Sequence, residues 1–153
     1  PVSDPARTIR NPAMTPRLTP VATLFVDIDQ PYVVGEIGTG LREMIPIRGG
    51  RVEGPLLSGR VLPGGADWCL TRGDGLIEIW ARYTIETHDG VLVSVLNPGI
   101  ARQDAGGDFI GRTTPQFEVA AGAYAWLREH VFVGTLKANG AGTDVALSFF
   151  RVD

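Results

Sequence analysis

The sequence has few of the residues that cross-link chains or bind metals. Among 153 residues there are one cysteine and two histidines. A single cysteine excludes an internal disulfide and fits a reducing compartment, so we expect a cytoplasmic protein. Two histidines cannot form a three-histidine metal centre, so no metal site is expected.

Positive charge and long apolar runs are scarce as well. The net charge is −3, with 14 basic and 17 acidic residues and no basic cluster, which argues against a nucleic-acid partner. No apolar run approaches the roughly 20 residues of a membrane-spanning helix. The first residues also lack an apolar signal segment, so secretion and a membrane partner are not expected.

Glycine and proline, by contrast, are abundant, and their spacing predicts an all-β protein. The chain has 20 glycines and 11 prolines, spread between short strand-like runs. Asp74-Gly75 and Asp89-Gly90 flank the run LIEIWARYTIETH, and Asp-Gly is typical of a two-residue hairpin turn. We therefore predict an antiparallel meander of strands 66–72, 76–88 and 91–97, and a further hairpin at Asn139-Gly140.

Other strand-like runs lie at 17–28, 31–37, 41–48 and within 51–62, and the one helix is predicted at 121–130. A sheet of about eight to ten strands tends to close, because closure removes its exposed edges. We predict a closed antiparallel β-barrel over residues 17–153, preceded by an N-terminal extension of residues 1–16. A barrel of about eight strands can hold one small ligand.

The stretch GGRVEGPLLSGRVLPGGADW, residues 49–68, is rich in glycine yet ends in an acid and a tryptophan. Its glycines recur about every five residues, as expected for bends at barrel corners. No phosphate-binding glycine motif is present. The bends would bring Asp67 and Trp68 to one end of the barrel.

The strand at 76–87 has two different faces, and the sequence leaves open which one faces the lumen. One face is Ile77, Ile79, Ala81, Tyr83 and Ile85; the other is Leu76, Glu78, Trp80, Arg82, Thr84 and Glu86. Either the apolar face fills the barrel, leaving Trp80 exposed or at a subunit interface, or the charged face lines a ligand-binding lumen.

Asp67 is expected near Arg82 across the hairpin, ionised and with a lowered pKa. The pair is either a structural ion pair or part of a catalytic site. In a catalytic site Asp67 and Glu78 would exchange protons with the ligand, and Arg82 would stabilise an oxygen that gains charge. Candidate substrate-binding residues are Trp68, Trp80, Tyr83, Asn97, Arg112 and Tyr124.

Several motifs together resemble the domain of unknown function 3237 (DUF3237) family, also called UPF0311. They are RxxxPIxGGxxxGP from Arg42 to Pro55, GxVLPGGADW at 59–68, DGxxxxxARYT at 74–84, DG at 89–90, YAWL at 124–127 and FVG at 132–134. The resemblance covers roughly residues 20–152. It implies a β-barrel of the calycin or allene-oxide-cyclase-like kind that is often oligomeric, with a dimer as the first expectation. It implies no particular catalytic residues.

We expect a cofactor-free enzyme that uses acid–base catalysis as an isomerase, cyclase or lyase. Its substrate would be an apolar or aromatic compound with a carbonyl or hydroxyl group, bound in the lumen. The alternative is a lipocalin-like carrier of a lipophilic metabolite, and a third possibility is an oligomeric scaffold. A lumen rich in ionisable groups favours the enzyme, and a wholly apolar lumen favours the carrier.

Overall fold

A computed structural model describes residues 14–153, which form one antiparallel sheet of twelve strands that closes into a barrel. The strands are β1 (Leu18–Ile28), β2 (Tyr32–Glu36), β3 (Leu41–Glu53), β4 (Gly59–Val61), β5 (Gly65–Asp67), β6 (Leu70–Thr71), β7 (Ile77–Thr87), β8 (Leu92–Gln103), β9 (Phe109–Thr113), β10 (Gln116–Glu118), β11 (Phe132–Ala138) and β12 (Val145–Val152). Residues 1–13 of the predicted N-terminal extension lie outside the described part of the chain.

The twelve strands occupy eight positions around the barrel, which confirms the predicted fold class. The short strands β4, β5 and β6 together fill one position between β3 and β7. Similarly, β9 and β10 share the position beside β8. The pairing of β12 with β1 closes the ring, while β2 pairs with the start of β3 and lies off the ring.

The predicted hairpins are present. Turns at Asp74-Gly75, Asp89-Gly90 and Asn139-Gly140 connect paired strands. They are not the predicted two-residue turns, because the connections span residues 72–76, 88–91 and 139–144, and only glycines among residues 14–153 have positive φ. The strand predicted to end at residue 97 is longer, because β8 continues through Pro98 to Gln103. The predicted helix at 121–130 is only a 3-10 turn, Ala125–Arg128, whose N-terminus has no side-chain cap.

Two glycines in the glycine-rich stretch allow β4 and β5 to lie close against β7. A Cβ atom at Gly59 would lie 2.1 Å from the Glu86 carbonyl oxygen, and one at Gly65 would lie 2.5 Å from that of Arg82. Any side chain would therefore push the strands apart. This close approach holds β5 against β7, and β5 carries Asp67 two residues after Gly65.

One end of the barrel is filled by a tightly packed core. The Phe117 ring packs edge-on against Phe132 and Phe149, with centroids 4.9 Å and 5.8 Å apart. Leu127, from the 3-10 turn, is 1% exposed beneath them. We call this end of the barrel the closed end.

Within residues 14–153, no helix is long and apolar enough to cross a membrane.

Candidate functional site

The apolar face of β7 fills the barrel, and the charged face points outward. Ile79, Ala81 and Tyr83 are buried, whereas Glu78, Trp80 and Arg82 are exposed. Of the two alternatives for this strand, the apolar face fills the barrel and Trp80 is left exposed. Burying the apolar face is favoured because it removes far more apolar surface from water than burying the charged face would.

Glu78 and Arg82 accordingly lie apart from the lumen, and this corrects their expected partnership with Asp67. Arg82 pairs instead with Glu118 on the outer surface, at 3.4 Å, and its side chain is 59% exposed. Although Asp67 lies one residue from Arg82 in the β5–β7 register, the alternation of the strand turns the two side chains to opposite faces.

We call the end of the barrel opposite the packed core the open end. It holds a cavity of about 480 Å³. Its apolar wall consists of Ile28, Ile45, Ile77, Ile79, Phe109 and Leu136. Residues 29–31 and 140–143 form its rim. The inward position of β8 here holds a small residue, Ala101, which leaves more of the lumen open than a large side chain would.

Asp67 lines this cavity from β5, between Ile45 of β3 and Ala81 of β7. Its Oδ1 accepts a hydrogen bond of 2.9 Å from the backbone N–H of Trp80. Burial raises the pKa of Asp67 to about 6, although the Trp80 hydrogen bond and the Arg42 charge oppose the shift. The expected lowering of its pKa by Arg82 is therefore wrong, since burial outweighs the nearby positive charge.

Glu43 and Cys69 line the same cavity beside Asp67. Burial, together with the charges of Asp67 and Glu43, raises the pKa of the Cys69 thiol to about 12. Cys69 thus remains a neutral thiol at physiological pH, as expected of a small buried residue. Sequence reasoning missed Glu43; its period-two spacing with Ile45 and Ile47 was the signal that it faces inward.

Three buried polar side chains lie further along the inner wall. Asn97 pairs with Ala81 in the β7–β8 register, so Asp67, Ala81 and Asn97 form one row across three strands. Neither amide atom of Asn97 has a hydrogen-bond partner among residues 14–153, and the same holds for the Tyr83 hydroxyl and Thr113 Oγ1. Asn97 and Tyr83 were predicted site residues, whereas Thr113 was missed.

The remaining predicted binding residues lie elsewhere. Trp68 and Trp80 are 42% and 51% exposed on the outer face. Arg112 is exposed and donates to the Gly111 carbonyl, at 2.8 Å. Tyr124 lies at the closed end, where its hydroxyl donates to Asp89 at 2.8 Å. Across residues 14–153, no three histidine, cysteine or acidic side chains form a group that could hold a metal ion.

Residues 16–152 match the family model described as "Protein of unknown function (DUF3237)". The chain belongs to the DUF3237 family. It is 41% identical over 137 residues to a UPF0311 protein of Rhodopseudomonas palustris strain TIE-1, covering 80% of this chain and 90% of that protein. The resemblance drawn from the sequence motifs is thereby confirmed.

Solved structures agree with the barrel. A β-barrel-like protein from Acinetobacter baumannii is similar with a TM-score of 0.85 and 31% identity, over 94% of this chain and 99% of that one. A protein described as an enzyme from Penicillium herquei has a TM-score of 0.71 and 22% identity, over 90% and 95%. The second likeness shows the fold alone.

Proposed function

We propose that this DUF3237 protein is a cofactor-independent enzyme in which Asp67 transfers protons on a small molecule bound at the open end. The observation that carries this proposal is a carboxyl group with a pKa raised to about 6, set in the wall of a cavity of about 480 Å³. A general base works best when its pKa lies near the working pH, because it is then both ionised and basic.

The chemistry follows from the position of Asp67. At neutral pH its carboxylate takes a proton from a carbon beside a carbonyl group, or from a hydroxyl group, and becomes a carboxylic acid. The acid then returns the proton to another atom of the same molecule, which completes an isomerisation or an intramolecular cyclisation. In a lyase reaction, the leaving group takes the proton instead.

The walls of the cavity suit an apolar or aromatic body. Ile28, Ile45 and Ile79 cover one part of the lining, so apolar atoms of a ligand gain contact there. The same lining favours the second candidate function, a carrier of a lipophilic compound. Asp67 and Glu43 in the wall favour the enzyme, because a carrier gains nothing from burying a carboxyl group beside its ligand.

The Penicillium herquei protein is called an enzyme, which is consistent with a catalytic use of this fold, but the likeness carries no reaction to this chain. A cytoplasmic location and a homo-oligomer remain predictions from the sequence.

The decisive experiment measures the exchange of carbon-bound hydrogen for deuterium in candidate substrates. A panel of enolisable ketones and phenols is incubated with the protein in deuterium oxide, and deuterium uptake is measured by mass spectrometry. Asp67→Asn should lower the exchange rate of any active compound by at least about 100-fold. Glu78→Gln is the matched control, since it makes the same change on the outer face, and it should leave the rate within about twofold.

Two results would contradict the enzyme. Compounds that bind the protein but never exchange would favour the carrier. Equal losses in Asp67→Asn and Glu78→Gln would show that the carboxyl group in the cavity is not the base.

A further inference from the structure

We propose that the outer face of the barrel around Trp68 and Trp80 is the contact surface of a symmetric homodimer, in which Glu78 of one subunit pairs with Arg42 of the other. We call this surface the tryptophan face; it consists of Arg42, Met44, Trp68, Leu70, Glu78 and Trp80. The inference goes beyond the proposed function and does not depend on it, since the tryptophan face lies outside the barrel wall and Asp67 lines the lumen.

The first support is the amount of apolar surface that this face leaves in water. Trp68 and Trp80 are 42% and 51% exposed, and Ile100 beside them is 51% exposed. All three border a groove of about 470 Å³ on the outer face, whose lining also includes Leu70 and Pro98. A contiguous apolar patch of this kind marks an interaction surface, whereas single exposed apolar residues do not. Tryptophan, methionine and arginine are also the residues that protein interfaces favour.

The second support is that the strand register arranges the tryptophan face in two parallel rows. Arg42 of β3 pairs with Leu70 of β6, and Leu70 pairs with Glu78 of β7, which gives the first row. The second row, two residues further along each strand position, is Met44, Trp68 and Trp80. Each row therefore crosses the same three neighbouring strand positions, with opposite charges at the two sides of the first row.

The third support is that these opposite charges do not neutralise each other within one subunit. The Cα atoms of Arg42 and Glu78 are about 10 Å apart, twice the spacing of neighbouring strands. Arg42 Nη1 donates to the Trp68 carbonyl oxygen at 2.8 Å, and the Glu78 carboxylate has no hydrogen-bond or ion-pair partner among residues 14–153. The face thus carries one free charge of each sign, which makes it complementary in charge to a second copy of itself.

A two-fold axis that runs parallel to the strands and over Trp68 satisfies every group on the face. This axis exchanges the strand positions of β3 and β7, so Glu78 of one subunit lies over Arg42 of the other, and the pair occurs twice. Trp68 meets its own symmetry copy, and Trp80 meets Met44, a favourable contact between sulfur and an aromatic ring. A second copy of this chain is therefore the occupant that the pattern of charges and apolar groups fits.

The test is a charge exchange across the two-fold axis, followed by sedimentation velocity over a concentration series up to about 50 µM. The unchanged protein should sediment as a dimer. Glu78→Arg and Arg42→Glu should each raise the dissociation constant of the dimer by at least about 100-fold, because like charges then face each other twice. An equal mixture of the two variants should dimerise with a dissociation constant within about tenfold of that of the unchanged protein, since each variant supplies the charge that the other lacks.

Two further variants separate this face from the rest of the surface. Trp68→Ala removes the side chain on the axis and should raise the dissociation constant by at least about tenfold. Glu53→Arg is the matched control, because it makes the same charge reversal at a side chain that is 62% exposed on β3, away from the tryptophan face. It should leave the dissociation constant within about twofold.

Three results would overturn the inference. A monomeric unchanged protein would assign the face to a different occupant. A dimer that Glu78→Arg and Trp68→Ala leave intact would use another surface, and a mixture of the two charge variants that stays monomeric would exclude the contact between Arg42 and Glu78. If Arg42→Glu does not fold, Glu78→Arg and Trp68→Ala decide. No side chain substituted in this test lines the open-end cavity, so the exchange experiment on Asp67 succeeds or fails separately.

Discussion

The two ends of the barrel use the same eight strand positions to opposite effect. At the closed end, inward positions carry Phe117, Phe132 and Phe149, which fill the lumen. At the open end, inward positions carry smaller side chains such as Ala101 of β8 and Leu136 of β11, and the carboxyl group of Asp67 lines the cavity that remains. Strand alternation sets which residues face inward, but the size of those residues decides whether the lumen becomes a core or a binding site.

The largest effect on the free energy of unfolding is expected for a substitution at the closed end. Phe149→Ala should cost about 3–5 kcal/mol in the free energy of unfolding, because Phe149 is 1% exposed and its removal leaves a void. Phe109→Ala is the matched change at the open end, where the half-buried ring lines the cavity. It should cost less than about 2 kcal/mol and enlarge the binding site. Urea unfolding of both variants measures the difference, and equal costs would contradict the distinction between packed and open ends.

The next effect concerns the charge at the open end. The pKa of Asp67 is raised from 3.8 to about 6, so the folded protein binds a proton more tightly than the unfolded chain. Stability from this group is present below about pH 4 and is lost as the pH rises through about 6. Asp67→Asn removes this loss of stability at high pH, and the amide oxygen of the new side chain can still accept a hydrogen bond from the Trp80 N–H.

Asp67→Asn should therefore stabilise the protein by about 1–3 kcal/mol at pH 8 and by much less at pH 4. Unfolding by urea at a series of pH values measures this difference. A variant that is less stable than the unchanged protein at pH 8 would show that the Asp67 carboxylate is favourably paired in the fold. The same substitution is expected to lower the exchange rate by at least about 100-fold, so stability and activity should change in opposite directions.

Much of the barrel is predictable from local signals. Gly75 and Gly90 have φ values of 83° and 86°, which few residues other than glycine adopt, so the two Asp-Gly dipeptides predict where the chain turns between strands. Residues 121–130 were predicted to form a helix but contain only a short 3-10 turn. Trp126 and Leu127 are apolar because they pack against the end of the barrel, not because they belong to a regular helix.

The candidate site was only partly predictable. Asp67 is predictable because a glycine-rich bend precedes it, whereas the burial of Asn97 and Tyr83 follows only from the folded barrel. Glu78 and Arg82 were misplaced because alternation alone gives two faces but not which of them is inside. Glu43 was missed because the cavity that it lines depends on pairings between distant parts of the chain, which no local pattern specifies.

The smallest expected effect tests the outer face, where the sequence had suggested catalysis. The Arg82–Glu118 pair spans 3.4 Å, with side chains 59% and 78% exposed, so water screens it strongly. Arg82→Gln should change the free energy of unfolding by less than about 0.5 kcal/mol and leave carbon-acid exchange unaltered. Urea unfolding and the exchange assay measure the two quantities, with Glu118→Gln as the control for the pair. If Arg82→Gln slows exchange while Glu118→Gln does not, the guanidinium group contributes to the reaction from outside the barrel. Chemistry would then not be confined to the open end, and the contrast between the two faces of β7 would no longer hold.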